Sequence, residues 1–232
     1  MHFRNIQHIF FDLDNTLWDF SKNSKRIISE MYELFQLKEK GIHDLDAFYK
    51  QYASRNENLW SAYSMGDISR EEVRLHRFLY TLDDFGVKDY VTALGMADHY
   101  IHHTKHQTEL LPHAMETLQY LRVKYQLHII TNGFNEVQYF KLRNSNIDHF
   151  FETVTTAEEA QCLKPGIKIF DIALKKVPAR AEESLYIGDT AHIDGVGSLN
   201  AGLQFILFNP EKKENAGNYH QVHSLQELKG IL

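Results

Sequence analysis

The hydrophobic pattern of the chain changes at residues 111 and 112, and this change constrains the fold more than any other feature. After it, short apolar runs alternate with segments of helical period. The pattern predicts strands at 127–130, 151–155, 185–187 and 204–208, and helices at 114–125, 135–144, 167–176 and 224–232. A further apolar run, Ile9 to Phe11, predicts a strand near the N-terminus. The alternation predicts an α/β fold, a Rossmann-like parallel sheet with helices on both faces.

A long stretch between the first strand and this alternation, from about residue 21 to residue 107, has helical periodicity and no convincing strand. We predict four helices in it. The candidate N-terminal residues of the last three are Asp44 or Asp46, Ser69 with Glu72 as a capping box, and Asp89. The sequence therefore predicts two domains: a core of residues 1–18 and 108–232, and an inserted all-helical domain of residues 19–107.

The composition limits the partners of the chain. Its 232 residues are 43% hydrophobic and 24% charged, which is typical of a soluble globular protein. The net charge of −6 predicts no general attraction to nucleic acid or to an anionic membrane. The single cysteine, Cys162, excludes an internal disulfide and is typical of a reducing compartment. We find neither a signal peptide nor an apolar run of the ~20 residues that cross a bilayer, and we expect a cytoplasmic protein.

Two aspartates follow the first predicted strand directly, at Asp12 and Asp14. Ligand sites in open α/β sheets lie at the carboxyl ends of strands, and residues i and i+2 of an extended chain point the same way. Such a pair can hold a hard cation, supply a nucleophile and move a proton. An EF-hand loop is excluded because its sixth and twelfth positions here are Leu17 and Asn23. A solvated acidic turn remains the alternative for this segment by itself.

Three further polar clusters follow predicted strands or precede helices: Thr131-Asn132-Gly133, Lys164 before Pro165, and Asp189 with Asp194. Gly133 allows the backbone to approach a ligand closely, and Lys164 is a compact cation suited to a phosphoryl oxygen. Each cluster also has a simple structural interpretation, as a turn, a helix entry or the start of a loop. Those interpretations do not predict four clusters of complementary chemistry in this order.

Together the four clusters resemble the four motifs of the haloacid dehalogenase-like hydrolase superfamily, and the helical insert resembles its first type of cap. The resemblance implies that Asp12 is the nucleophile and Asp14 the general acid and base. The phosphate-binding residues that it implies are Thr131, Asn132, Gly133 and Lys164. The implied cofactor is Mg²⁺, and its implied ligands are Asp12, Asp14 through the main-chain carbonyl, Asp189 and Asp194, the last acting through water or by steadying Lys164.

The implied activity is that of a magnesium-dependent phosphatase that forms an aspartyl-phosphate. Asp14 favours phosphate chemistry because dehalogenases in the family pattern lack the second aspartate. Phosphatases for sugar phosphates, phosphoglycolate or pyrophosphate remain alternatives, and a sugar phosphomutase is disfavoured only slightly, by Asn15 after Asp14. A catalytically idle binding protein is disfavoured because Asp12, Asp14, Lys164 and Asp189 are all present.

Within the superfamily, residues 58–63, 66–68, 74–78 and 130–134 resemble the bacterial pyrimidine 5′-nucleotidase-like branch. That resemblance implies a small-molecule substrate, a nucleoside monophosphate. We expect the protein to be a monomer or a weak homodimer. Trp60 or Tyr63 is suited to stack on a base, and Arg77 to bind an anion. The alternatives are that the aromatic residues belong to the domain core and that Arg70, Arg74 and Arg77 form a solvated row.

Four histidines lie at helical spacing near the end of the predicted insert: His99, His102, His103 and His106. The pairs His99/His103 and His102/His106 are four residues apart, a spacing at which two imidazoles can chelate zinc. No cysteine or carboxylate close in the sequence completes a four-ligand set. The pattern therefore favours a surface histidine cluster.

Overall fold

The computed structural model describes residues 3, 5–212 and 218–232. The chain forms two compact units, one made of Met1–Phe20 and Thr108–Leu232, the other of Ser21–Gln107. We call the first the sheet unit and the second the helical unit. Part of the N-terminal segment in which we found no signal peptide lies outside the described residues.

The sheet unit is built on six parallel strands. They are β1 (His8–Phe11), β2 (Gln126–Thr131), β3 (Phe151–Thr156), β4 (Ser184–Gly188), β5 (Gln204–Phe208) and β6 (His220–Val222). Their order across the sheet is β3-β2-β1-β4-β5-β6. This arrangement confirms the predicted Rossmann-like parallel sheet, and it places the first strand between β2 and β4.

The helices follow in chain order. The helical unit contains α1 (Phe20–Leu34, whose first residue belongs to the sheet unit), α2 (Leu45–Met65), α3 (Arg70–Asp84) and α4 (Tyr90–Thr104). The sheet unit contains α5 (Ala114–Leu121), α6 (Asn135–Asn144), α7 (Ala157–Ala160), α8 (Ile167–Lys176), α9 (Val196–Asn200) and α10 (Leu228–Ile231).

Both faces of the sheet are covered. Ile9 and Phe11 belong to one apolar cluster, which includes residues of α5, α6 and α10, whereas Phe10 belongs to a second cluster with residues of α7 and α8. All four residues of β1 are therefore buried, although successive side chains point to opposite faces. This burial explains why the strand reads as a continuous apolar run rather than as an alternating one.

Several local features differ from the prediction, among them the short helices α7 and α9, which were not predicted. Helix α5 ends at Leu121 rather than near residue 125. The predicted last helix is a 3-10 turn followed by the short helix α10. Strand β6 was not predicted, because its three residues form too short a run to show a period.

Local capping interactions begin and end the helices of the helical unit. The side chains of Asp44 and Asp89 accept backbone hydrogen bonds at the starts of α2 and α4. Ser69 and Glu72 form the predicted capping box of α3. Gly66 ends α2 with φ of 82°, a left-handed conformation that glycine adopts without steric cost.

The chain leaves and re-enters the sheet unit through a short antiparallel ribbon. Trp18 and Leu110 form its bridge. The amide of Asp19 donates to the carbonyl of Glu109 at 3.0 Å, and on the other side the amide of Leu111 donates to the carbonyl of residue 17 at 2.9 Å. The two segments that flank the insert are therefore paired to each other by backbone hydrogen bonds.

Among the described residues, no helix combines the length and the apolar character needed to cross a membrane.

Candidate active site

Three of the four predicted motifs follow neighbouring strands of the sheet. Phe11, the last residue of β1, is in register with Ile129 of β2 and Ile187 of β4. Asp12 follows directly, Thr131 ends β2, and Asp189 follows β4. Because the strands are parallel, their carboxyl ends meet at one edge, where ligand sites of such sheets lie.

Lys164 joins two of the acidic side chains at this edge. Its ammonium donates to Asp12 Oδ1 at 2.6 Å and to Asp194 Oδ1 at 2.7 Å. It also contacts the hydroxyl of Tyr186 at 2.8 Å. The three charged side chains are almost fully buried, at 3% exposure for Lys164, 10% for Asp12 and 2% for Asp194. Charges buried to this degree are stable only when they are paired, so this is a constructed ionic site rather than a solvated acidic turn.

The negative charge of this site exceeds the positive charge. Burial raises the pKa of Asp189 well above its ordinary value, and the carboxylates of Asp12 and Asp194 raise it further. Burial also raises the pKa of Asp12, against the opposing effect of Lys164. Although burial lowers the pKa of Lys164, the adjacent carboxylates of Asp12 and Asp194 outweigh that effect and raise it above its usual value. When all three carboxylates are ionised, a single ammonium leaves two negative charges unmatched, and the raised pKa values of Asp12 and Asp189 reflect this excess of negative charge.

These carboxylates have the arrangement of a metal site. One oxygen each from Asp12, Asp189 and Asp194 lie within 4.8 Å of one another. Hard divalent cations prefer carboxylate and carbonyl oxygens, and a charge of +2 would match the unpaired negative charge. The oxygens of Asp194 already accept hydrogen bonds from Lys164, Tyr186 and the amide of Thr190. Asp12 and Asp189 therefore fit the role of direct ligands better than Asp194 does.

Asp14 is held by two residues of α6 that the sequence analysis did not identify. Gln138 Nε2 donates to Asp14 Oδ2 at 2.7 Å, and Lys141 Nζ donates to Asp14 Oδ1 at 2.5 Å. The Lys141 ammonium also lies 3.9 Å from the centre of the Trp18 ring, a cation–π contact. Gln138 and Lys141 are three residues apart, so both lie on the same face of the helix. The sequence signal was weak, because a polar pair at this spacing is typical of any solvated helix.

Thr131 and Gly133 shape the loop between β2 and α6. The hydroxyl oxygen of Thr131, which is 1% exposed, accepts hydrogen bonds from the amide of Gly133 and from Gln138 Nε2, each at 3.0 Å. A Cβ atom on Gly133 would stand 1.6 Å from Gln138 Nε2. Glycine is therefore required here so that Gln138 can reach both Thr131 and Asp14.

Asn132 has a contact that the sequence did not predict. Its side-chain oxygen accepts from the amide of Lys164 at 2.8 Å, and its Nδ2 donates to the carbonyl of Lys164 at 3.0 Å. The peptide bond from Lys164 to Pro165 is cis. The Asn132 side chain thus ties the third motif to the second.

A glycine also makes room for Asp194. Gly188 ends β4, and a Cβ atom there would stand 2.5 Å from Asp194 Oδ2. Asp194 lies in a π-helical turn, Ala191–Gly195, that brings its carboxylate back toward the strand end. π-Helical turns of this kind occur frequently at functional sites.

The comparison with known families decides the classification. The profile of the haloacid dehalogenase-like hydrolases matches residues 9–208, which include all four motifs. The chain belongs to this family. It is therefore a hydrolase.

Several individual relatives of this haloacid dehalogenase-like hydrolase share nearly its whole length. Pyrimidine 5′-nucleotidase PynA of Streptococcus pneumoniae is 30% identical over 95% of this chain and 92% of its own. Glyceraldehyde 3-phosphate phosphatase of Methanothermobacter thermautotrophicus is 31% identical over 98% of this chain and 100% of its own. A magnesium-bound crystal structure of the HAD-hydrolase YfnB of Bacillus subtilis superposes with a TM-score of 0.88 at 27% identity, covering 98% of each chain.

The residues that the sequence predicts to contact the substrate lie in the helical unit. Trp60 and Tyr63, both half-buried on α2, meet edge to face with ring centres 5.6 Å apart. Arg77 is only 2% exposed, and its guanidinium lies 4.3 Å from the centre of the Tyr100 ring. The solvated-row interpretation is therefore wrong for Arg77. A substrate-binding role for Trp60, Tyr63 and Arg77 remains a prediction.

Proposed function

We propose that the protein is a magnesium-dependent phosphatase that hydrolyses a small phosphomonoester through an aspartyl-phosphate. The observation that carries this proposal is the pair of aspartates after β1, with Asp12 bonded to Lys164 and Asp14 bonded to Gln138 and Lys141. This arrangement supports Asp12 as the nucleophile beside a cation and Asp14 as the group that transfers protons.

In the first step an oxygen of Asp12 attacks the phosphorus atom, and the bond from phosphorus to the ester oxygen breaks. The protonated carboxyl group of Asp14 gives its proton to the leaving oxygen, so that an alcohol departs. Lys164, together with the hydroxyl of Thr131 and the amides of the loop that follows, offsets the charge of the phosphoryl oxygens. The product of this step is a phosphate group covalently bound to Asp12.

In the second step a water molecule attacks the phosphorus of the aspartyl-phosphate. Asp14, now a carboxylate, takes a proton from this water, and the bond from phosphorus to the Asp12 oxygen breaks. Inorganic phosphate is released, and both aspartates return to their starting forms. The same group therefore serves first as acid and then as base.

Asp12, Asp189 and the main-chain carbonyl of Asp14 would hold the magnesium ion, with Asp194 steadying Lys164. When bound, the ion supplies positive charge that reduces the repulsion between an anionic nucleophile and an anionic ester. Support comes from the two unmatched negative charges of the site and from the magnesium-bound structure of the relative YfnB.

We infer that the substrate is a nucleoside 5′-monophosphate, with pyrimidine nucleotides first. The name of the relative PynA supports this inference, as do the adjacent aromatic rings of Trp60 and Tyr63, which are suited to contact a base. A sugar phosphate is the second candidate, favoured by the relative named glyceraldehyde 3-phosphate phosphatase. The single cysteine and the acidic net charge support a cytoplasmic enzyme whose partner is a small molecule.

The nucleophile is tested by Asp12→Asn. We expect magnesium-dependent phosphate release to fall by about 1,000-fold or more, because the amide is a poor nucleophile. The control is Asp171→Asn, at an aspartate of α8 outside the site. Full activity of Asp12→Asn, or an equal loss in the control, would disprove the assignment.

The substrate class is tested by comparing kcat/KM for pyrimidine and purine nucleotides, sugar phosphates and pyrophosphate. We expect a pyrimidine nucleotide to be the best substrate, and Trp60→Ala or Tyr63→Ala to raise KM for nucleotides but not for a small sugar phosphate. If a sugar phosphate exceeds every nucleotide, the nucleotide proposal is wrong while the phosphatase proposal stands.

A further inference from the structure

We propose that Glu30, His99 and His103 form a second metal site, for a zinc ion, within the helical unit. Glu30 lies on α1, and the two histidines lie on α4. One ligand atom from each of the three side chains lies within 4.8 Å of the other two. The site is separate from the carboxylate cluster of the proposed catalytic centre and does not depend on the proposed function.

The two histidines are arranged as a helical chelate. They are four residues apart, so both project from the same face of α4. Their rings lie nearly parallel, with an angle of 15° between the planes and 3.9 Å between the centres. Both imidazoles can therefore address one ion with small rotations of their side chains, and imidazole nitrogen is a preferred zinc ligand.

His99 has a nitrogen without a protein partner. Its Nε2 atom is buried and makes no hydrogen bond in the part of the chain that the structure describes. Buried polar atoms are almost always paired, and an unpaired one commonly marks a site for a water molecule or an ion.

Glu30 supplies a third ligand, a carboxylate from another helix, which the sequence pattern did not reveal. Its side chain is exposed and also pairs with Arg26 at 3.6 Å, a long surface contact that leaves carboxylate oxygen available. Close packing of the two segments explains how Glu30 reaches α4. A Cβ atom on Gly95 of α4 would stand only 2.9 Å from the ring of Phe35, which follows α1 and meets His99 edge to face.

The ligand set selects the kind of metal. Two imidazoles and one carboxylate suit Zn²⁺ far better than Mg²⁺, which prefers oxygen and retains its waters. Three protein ligands leave the fourth tetrahedral position to water. His102 and His106 have the same spacing on α4, with ring centres 5.7 Å apart, but they belong to no group of three candidate ligands among the described residues. They therefore provide matched controls.

The proposal is tested by titrating Zn²⁺ into the tag-free full chain against a chromophoric chelator. Excess Mg²⁺ is present so that the carboxylate cluster of the sheet unit is occupied. We expect one zinc ion per chain, and binding weakened at least about 10-fold in each of Glu30→Gln, His99→Gln and His103→Gln. We expect His102→Gln and His106→Gln to bind zinc within about 2-fold of the parent chain.

A second measurement distinguishes loss of zinc binding from disturbed packing in the histidine variants. Thermal unfolding followed by circular dichroism should show a zinc-dependent rise in Tm that is lost in Glu30→Gln, a surface change that leaves the packing intact. The proposal is overturned if the parent chain binds no zinc, or if His102→Gln or His106→Gln abolishes binding. It is also overturned if Glu30→Gln has no effect, because the pair of histidines then acts without the third ligand.

Discussion

Asp14 and Asp12 have different hydrogen-bond partners. Asp12 shares its lysine with Asp194, whereas Asp14 accepts hydrogen bonds from Lys141 and from Gln138, both of α6, and Gln138 also donates to Thr131. Two hydrogen bonds to two different oxygens define the rotation of a carboxylate as well as its position. A group that must give and then take a proton needs such orientation, since proton transfer requires hydrogen-bond geometry.

Substitution Lys141→Met should lower kcat by about 100-fold with little change in KM, because Asp14 loses one of the two contacts that orient it. The loss should be smaller for p-nitrophenyl phosphate, whose leaving group needs little help from an acid. Steady-state kinetics on both substrates measures this difference.

The matched control is Arg143→Met, which removes a cation from the exposed face of the same helix. It should leave kcat unchanged. An equal loss on both substrates in Lys141→Met would contradict a role in orienting the acid and would indicate general damage to the site.

At the residue scale, the sequence was sufficient to predict the site residues that lie at strand ends. Asp12 and Asp189 could be proposed because charge directly after an apolar strand is unusual, and Lys164 because it is a compact cation directly before Pro165 at a helix start. Gln138 and Lys141 could not, because helical spacing tells which residues share a face but not what that face meets. The contact of Asn132 with the Lys164 backbone was equally hidden, since it depends on how two loops meet.

At the scale of elements, the loop from β2 to α6 sets how closely the helix approaches the catalytic edge of the sheet. Gln138 passes through the space that a side chain on Gly133 would fill. The spacing between the end of β2 and α6 therefore requires a residue without a Cβ atom at position 133. The hydrogen bonds from α6 to Asp14 depend on this spacing.

Substitution Gly133→Ala should displace Gln138 and separate it from Asp14 and Thr131. We expect a loss of stability of about 1–3 kcal/mol, as in other overpacked sites, together with a fall in kcat. Chemical denaturation and kinetics measure the two effects. Adding Gln138→Ala should restore stability but not activity.

Gly230→Ala is the control, because nothing lies within 4 Å of the added carbon. That variant should be as stable and as active as the parent chain. Unchanged kcat in Gly133→Ala would show that the contact of Gln138 with Asp14 is dispensable.

Most elements could be predicted because a hydrophobic period or a cap identifies them. The capping box of Ser69 and Glu72 and the buried run of β1 are examples. Strand β6 and helix α7 could not be predicted, because three or four residues are too few to show a period. Both elements contact neighbouring parts of the sheet unit, β6 by pairing with β5 and α7 by packing against β3 and α8.

At the scale of the whole molecule, a pair of buried histidines in the sheet makes the free energy of unfolding depend on pH in the acidic range. His128 of β2 lies 3.2 Å from His8 of β1 and stacks on Phe10. Burial, together with the neighbouring His8, lowers the pKa of His128 to about 4. Burial also lowers the pKa of His8, against the opposing effect of Glu183. The His128 ring is therefore neutral in the folded chain near pH 6.

The free energy of unfolding should fall as the pH decreases from about 6.5 to about 4. In this range the unfolded chain binds a proton at residue 128 and the folded chain does not, so protonation favours unfolding. The contribution of His128 is about 3 kcal/mol in total, and below pH 4 it no longer grows.

Urea denaturation at several pH values tests this, with His128→Gln compared with the parent chain. The variant should show a shallower fall in stability across the range, and His149→Gln, an exposed histidine of the same unit, should retain the full slope. An unchanged slope in His128→Gln would contradict the assignment.

The antiparallel ribbon at Trp18 and Leu110 has an evolutionary consequence. Because the two connecting segments are bonded to each other, the chain departs from the sheet unit and returns to it at one point. Replacing everything between them by a short turn would lengthen no other connection and would leave the strand order unchanged. The insert is in this sense an exchangeable cassette, so selection can replace it while the residues at the strand ends are inherited unchanged.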